Sequence, residues 1–126
     1  METVFIDTHV VIWLFLKDKS KFSTQAIELI EKSELTVSPM VIAELGFLYE
    51  IKRINYTPQQ IVESLRRSID LKISDAPFEK IAFKSTKILW TRDPFDQLMT
   101  ATAMLDDARI LTKDRMILEH YENAVW

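Results

Sequence analysis

A single glycine, Gly46, stands in a chain of 126 residues that would ordinarily carry about 9. Without glycines neither a Walker phosphate loop nor a dinucleotide fingerprint can be written. Cysteine is absent altogether, which excludes disulfides, thiolate zinc sites, iron–sulfur clusters and a cysteine nucleophile. Histidine occurs twice, as His9 and His120, too few for a multi-histidine metal site. The longest unbroken apolar run, Val10 to Leu16, is far short of the ~20 residues of a membrane helix. No basic start precedes an apolar stretch, so no signal peptide is expected, and the lack of cysteine fits a reducing cytoplasm. Basic charge is also in deficit: 16 Lys and Arg against 19 Asp and Glu give −3. Nucleic acid, if bound, must therefore meet a local basic patch. Carboxylates, hydroxyls and scattered basic groups remain for chemistry.

Hydrophobic residues make up 48% of the chain, enough for one substantial core, and no repeat or linker-like tract divides it. A single domain over residues 1–126 is expected. Short apolar runs alternate with longer helical patterns. Strands are predicted at Thr3–Ile6, Leu35–Val37, Leu71–Ser74, Arg109–Thr112 and Ala124–Trp126. Helices are predicted at Thr8–Leu16, from the Ser23 cap to Lys32, from Ser38-Pro39 to Arg53, and from the Thr57-Pro58-Gln59-Gln60 capping box to Ile69. Three more follow at Pro77–Trp90, from Asp93-Pro94 to Ala108, and at Arg115–Tyr121. Alternation of this kind implies an α/β fold: a central, mostly parallel sheet of about five strands with helices on both faces.

In such a sheet ligands meet the carboxyl ends of the strands. Acids collect there. Asp7 ends the first strand, Asp114 follows the fourth, and Asp93 and Asp96 open the helix leading into the fourth. Helix capping explains Asp93 well and competes evenly with catalysis for Asp7, Asp96 and Asp114. Glu44 is different. Met40, Val41, Phe47 and Leu48 surround it at helical spacing, and no basic residue occurs between Leu35 and Glu50. A carboxylate on so apolar a face is costly unless paired or bound to a metal. A metal site shared with Asp7, Asp96 and Asp114 answers that cost. Oxygen-only ligands select a hard cation, Mg²⁺ or Mn²⁺, suited to phosphoryl chemistry. Thr8 and Thr112 stand beside Asp7 and Asp114 as supporting hydroxyls, and Arg92 is the best-placed phosphate contact. His9 is expected to pack against the sheet and His120 to face solvent. Trp13, Phe15, Phe47 and Tyr49 read as core or dimer surface.

Several motifs occur here in one order: Asp7-Thr8-His9 with Trp13-Leu14; Glu44 within Ser-Pro-Met-Val-Ile-Ala-Glu-Leu; Arg92-Asp93-Pro94-Phe95-Asp96; Leu111-Thr112-Lys113-Asp114; and the tail from Tyr121 to Trp126. Together they resemble a PIN-domain ribonuclease of the VapC type, the toxin half of a type II toxin–antitoxin pair. The resemblance implies an acidic quartet at Asp7, Glu44, Asp96 and Asp114, with Asp93 at its edge. It further implies RNA cleavage with Mg²⁺ or Mn²⁺, a homodimer, and an antitoxin whose basic segment enters the acidic cleft. Gln97, where Arg is usual, and Thr91, where His is frequent, depart from the pattern at positions that bear on substrate contacts. A PIN nuclease of RNA maturation fits the same residues. From another class, a receiver-like signalling module would use Asp7, an acceptor at Asp75 and Lys113, but it leaves Glu44 unexplained.

Overall fold

A computed structural model describes residues 1–126. Five strands form one all-parallel sheet: β1 (Thr3–Ile6), β2 (Glu34–Val37), β3 (Lys72–Ile73), β4 (Arg109–Leu111) and β5 (Ala124–Val125), in the order β3-β2-β1-β4-β5. The central strand β1 pairs Val4 with Leu35 on one side and Arg109 on the other. Its Val4, Phe5 and Ile6 are fully buried, as expected of a strand covered on both faces. Seven helices surround the sheet: α1 (Thr8–Leu16), α2 (Thr24–Lys32), α3 (Pro39–Glu50), α4 (Pro58–Ile69), α5 (Phe78–Ser85), α6 (Pro94–Leu105) and α7 (Arg115–His120). One core runs from β1 and β4 through Val10, Val11, Val41, Leu45, Ile61 and Leu65.

Helix starts lie where local chemistry places them. Ser23 Oγ accepts the Ala26 amide at 3.0 Å, and Ser38 Oγ accepts that of Met40 at 3.2 Å. Thr57 and Gln60 close a reciprocal capping box, with the Thr57 amide donating to Gln60 Oε1 at 2.9 Å. Each hydroxyl or amide satisfies an amide that the helix itself leaves unpaired.

Helix ends differ from the pattern. The helix expected over Pro77–Trp90 stops at Ser85. Ser85 Oγ donates to Ala82 O and Thr86 Oγ1 to Phe83 O, each at 2.6 Å, taking up carbonyls of the last turn. The chain then turns so that Ile88 is buried and Leu89 is 85% exposed. Gln97 Nε2 donates to both Ile88 O and Thr91 O, closing this irregular stretch onto α6. α3 likewise ends at Glu50 rather than Arg53, and α6 at Leu105 rather than Ala108. Leu71 and Ser74 fall outside β3, a two-residue edge strand.

The strand order also removes the receiver-like reading. Such modules place the third strand beside the first. Here β3 lies beyond β2, so the exposed Asp75 is separated from Asp7 by a whole strand.

Candidate active site

Four elements deliver carboxylates to the carboxyl edge of the sheet. Asp7 sits between β1 and α1, where Oδ1 accepts the Val10 amide at 3.0 Å and caps α1. Its Oδ2 accepts the hydroxyl of Thr112, which is fully buried and itself accepts the Asp114 amide at 3.0 Å. Asp114 caps α7 through the Ile117 amide at 3.1 Å. Asp93 caps α6, accepting from Phe95 at 2.8 Å and Asp96 at 3.4 Å. Three of the five acids therefore cap helices, as the spacing allowed. Capping leaves Glu44 and Asp96 unexplained. The Glu44 Oε1 accepts the Thr8 hydroxyl at 2.5 Å, and no hydrogen bond reaches the Asp96 carboxylate.

The helices carrying those two acids are fixed to each other. Ser38 Oγ and Thr102 Oγ1 are 2.8 Å apart in the buried seam between α3 and α6. Phe47 and Phe95 pack with ring centroids 5.9 Å apart. Glu44 and Asp96 thus face one cavity of about 100 Å³, lined by Asp7, Thr8, His9, Glu44, Asp93, Asp96, Met99 and Asp114. Met99 is the one hydrophobic side chain in this lining, and no lysine or arginine reaches it.

Crowding of acids has an electrostatic consequence. Burial pushes the Asp96 carboxyl up to about 7, with Asp93, Asp114, Glu44 and Asp7 each adding to the rise. Burial likewise raises Glu44, against the lowering effect of the Thr8 hydroxyl. Asp7 is 7% exposed and is raised chiefly by burial, opposed by its bonds from Thr112 and Val10. No three of these side chains form a preformed metal cage. They line a shared cavity without converging on one point.

The remaining expected residues divide. Thr8 lines the cavity and Thr112 supports it from beneath. Arg92 is exposed beside the Asp93 cap and does not line the cavity. His9 does not pack against the sheet: it is exposed on the rim, while Thr8 and Val10 on either side of it in the first turn of α1 are buried. His120 is exposed, with its ring stacked 5.2 Å from that of Trp90. Gln97, which departs from the expected Arg, closes the chain before α6 instead of reaching into the cavity.

The PIN domain family model matches residues 4–123, nearly the whole chain. The chain is similar to Ribonuclease VapC22 of Mycobacterium tuberculosis (strain ATCC 25618 / H37Rv), with 33% identity over 128 residues, 95% of this chain and 93% of that protein. The chain is a PIN domain of the VapC type. Its fold is also that of solved VapBC structures. VapBC2 from Rickettsia felis, bound to a DNA fragment from its promoter, superposes with a TM-score of 0.69 at 17% identity, covering 98% of this chain and 96% of that chain. A toxin–antitoxin complex from Klebsiella pneumoniae gives 0.63 at 17% identity, with the same coverage of both chains. Within this PIN domain, β1, α3, α6 and the β4–α7 turn bring the acids together.

Proposed function

We propose that this PIN domain is a Mg²⁺- or Mn²⁺-dependent ribonuclease, the toxin of a VapBC-type pair, whose site is Asp7, Glu44, Asp96 and Asp114. One observation carries the reading: Glu44 and Asp96, with no capping role in reserve, face the same cavity as Asp7 and Asp114, and no lysine or arginine reaches it to neutralise them. A cation accounts for that arrangement. The donor set is oxygen-only, which matches a hard ion. Mg²⁺ keeps several of its waters and is commonly held by one or two carboxylates, so a loose set suits it better than a closed cage. A bound cation supplies Lewis acidity, lowering the pKa of an adjacent water and offsetting charge on the phosphate.

The chain's own residues do the rest. Thr112 and Thr8 donate to one oxygen each of Asp7 and Glu44, leaving Glu44 Oε2 and the Asp96 carboxylate of the cavity lining without a hydrogen-bond donor. Asp114 is anchored through its cap to α7, so its position is set by the backbone. Asp93 adds charge at the rim. Arg92, exposed next to it, meets the RNA phosphates outside the cavity. Ribonuclease activity is the named property of the 33%-identical relative, which supports the choice of RNA.

The toxin role rests on likeness to VapC22 and to structures of VapBC and toxin–antitoxin complexes. An acidic cavity that no lysine or arginine reaches suits a basic antitoxin segment, since an Arg fork engages two carboxylate oxygens and competes with the cation. The protein acts as a homodimer in the cytoplasm. Purified protein is expected to cleave an RNA pool with Mg²⁺ or Mn²⁺ and to stop on chelation. Expressed alone it should arrest growth, and co-expression with a neighbouring antitoxin gene should give a stable, inactive complex. Growth unaffected by expression, with no partner bound, refutes the toxin role while leaving the nuclease to be judged by cleavage.

A further inference from the structure

A second recess, of about 270 Å³, adjoins the acidic cavity and shares Asp7, His9 and Asp114 with it. Its other walls are Trp13 and Lys113. The chemistry changes across this short boundary: beside the shared His9 and carboxylates, the second recess adds an indole and an ammonium. Trp13 is held in place by two aromatic neighbours: Phe22 meets it edge-on at 6.2 Å and Trp126 at 5.9 Å with planes 66° apart. The exposed His9 ring stands 6.0 Å away, tilted by 45°. The Lys21 ammonium lies 5.9 Å from the centre of the indole. Packing with Phe22 and Trp126 accounts for part of Trp13 as ordinary core. It does not account for the place of Trp13 in the lining of a polar recess with His9 and Lys113.

A fixed aromatic surface flanked by cations is the arrangement on which an unstacked base settles, while the cations meet its backbone phosphate. Resting on the ribonuclease reading, we propose that this recess is a base-binding subsite: the nucleobase next to the cleaved bond stacks on Trp13 beside His9, and Lys113 contacts the adjoining phosphate. The base must be unpaired, because a base inside a duplex has both faces already covered. The recess therefore fixes the register of the chain over the carboxylates, and its loss weakens binding more than the chemical step.

The test uses a short single-stranded RNA cut at one bond, and the same RNA with an abasic residue at each flanking position in turn. The wild type should show a KM higher by about 5- to 150-fold for one of the two abasic RNAs, with kcat changed much less. Trp13→Leu should raise KM for the intact RNA comparably and cease to distinguish it from that abasic RNA. Lys113→Ala should raise KM for both alike. His9→Ala, on an exposed side chain, should lose part of the discrimination even where Trp13→Leu proves unstable. Wild-type cleavage indifferent to both abasic positions overturns the subsite alone, as does full discrimination retained in both Trp13→Leu and His9→Ala. Absence of cleavage of any RNA with Mg²⁺ or Mn²⁺ overturns the ribonuclease reading, and the subsite with it.

Discussion

Neutralising Asp96 separates a carboxylate that serves a site from one that serves its helix. Asp96 occupies the third position of α6, where a negative charge favours the helix dipole by about 0.3–1 kcal/mol. Against this stands the rise of its carboxyl from 3.8 to about 7, caused by burial and then by Asp93, Asp114, Glu44 and Asp7. At ~1.36 kcal/mol per pH unit that rise corresponds to a ceiling of about 4 kcal/mol. The side chain is only partly buried, and solvent screening reduces the cost to about 2 kcal/mol. The cost exceeds the dipole benefit. Asp96→Asn, with cation chelated, should therefore be more stable near neutral pH by roughly 1–1.5 kcal/mol, about 4–6 °C in Tm for a domain of this size. The pH dependence has a definite sign. Between the unfolded value near 3.8 and the folded value of about 7, the folded state binds more protons, so this contribution to wild-type stability falls as pH rises through that window. Near pH 4 the folded state of both proteins carries a neutral group and most of the difference should be gone. Thermal melts in EDTA from about pH 4 to pH 8 measure it. A mutant that melts lower than wild type at neutral pH, or a difference that ignores pH, refutes the electrostatic account of Asp96.

Asp93→Asn keeps the amide acceptor of the α6 cap but removes the charge that contributes most to raising Asp96. Asp96 should then titrate below 7, as read by carboxyl carbon shifts in NMR; an unchanged or higher value contradicts this. Thr112→Val deprives the Asp7 carboxylate and the Asp114 amide of a buried partner and should cost about 1–3 kcal/mol in denaturant melts. It should also raise the Asp7 pKa further, since the Thr112 bond lowers it, and weaken Mn²⁺ binding by about 10- to 100-fold. Stability and Mn²⁺ affinity both unchanged would remove Thr112 from the site. Gly46→Ala should stabilise by about 0.5–1 kcal/mol: Gly46 lies inside α3 without positive φ, and a new Cβ meets only Pro58 Cγ at 3.8 Å. A lower midpoint would mean that α3 and α4 pack too closely for a methyl group.

Those features of the fold that arise within a few residues are legible in the sequence. Ser23, Ser38, Thr57 and Asp93 cap the helices they precede, because capping needs only a side-chain oxygen and an amide two or three residues on. Glu44 stands out for the same kind of reason, as an acid among apolar helical neighbours with no local cation. Features made by distant segments are not legible. The irregular path from Thr86 to Thr91 depends on Gln97 reaching back to Ile88 and Thr91, and nothing in the Pro77–Trp90 pattern announces it. His9 reads as core because α1 is apolar nearly all round, yet it is exposed on the rim while its neighbours Thr8 and Val10 take the buried side of the turn. The stack of Trp90 on His120 joins residues whose meeting is decided by where α7 returns. Asp75 falls away from the site for a topological reason, the position of β3 beyond β2.

The most direct measurement follows Mn²⁺ binding and RNA cleavage in the same chelator-stripped samples, by electron paramagnetic resonance and gel assay across a Mn²⁺ series, for wild type and Asp96→Asn. Cleavage absent without Mn²⁺, rising in step with bound ion in the wild type, and lost together with that binding in Asp96→Asn is the result predicted for a carboxylate-held cation. Cleavage that persists in exhaustively stripped wild-type protein, or Mn²⁺ binding unaltered by Asp96→Asn, contradicts it.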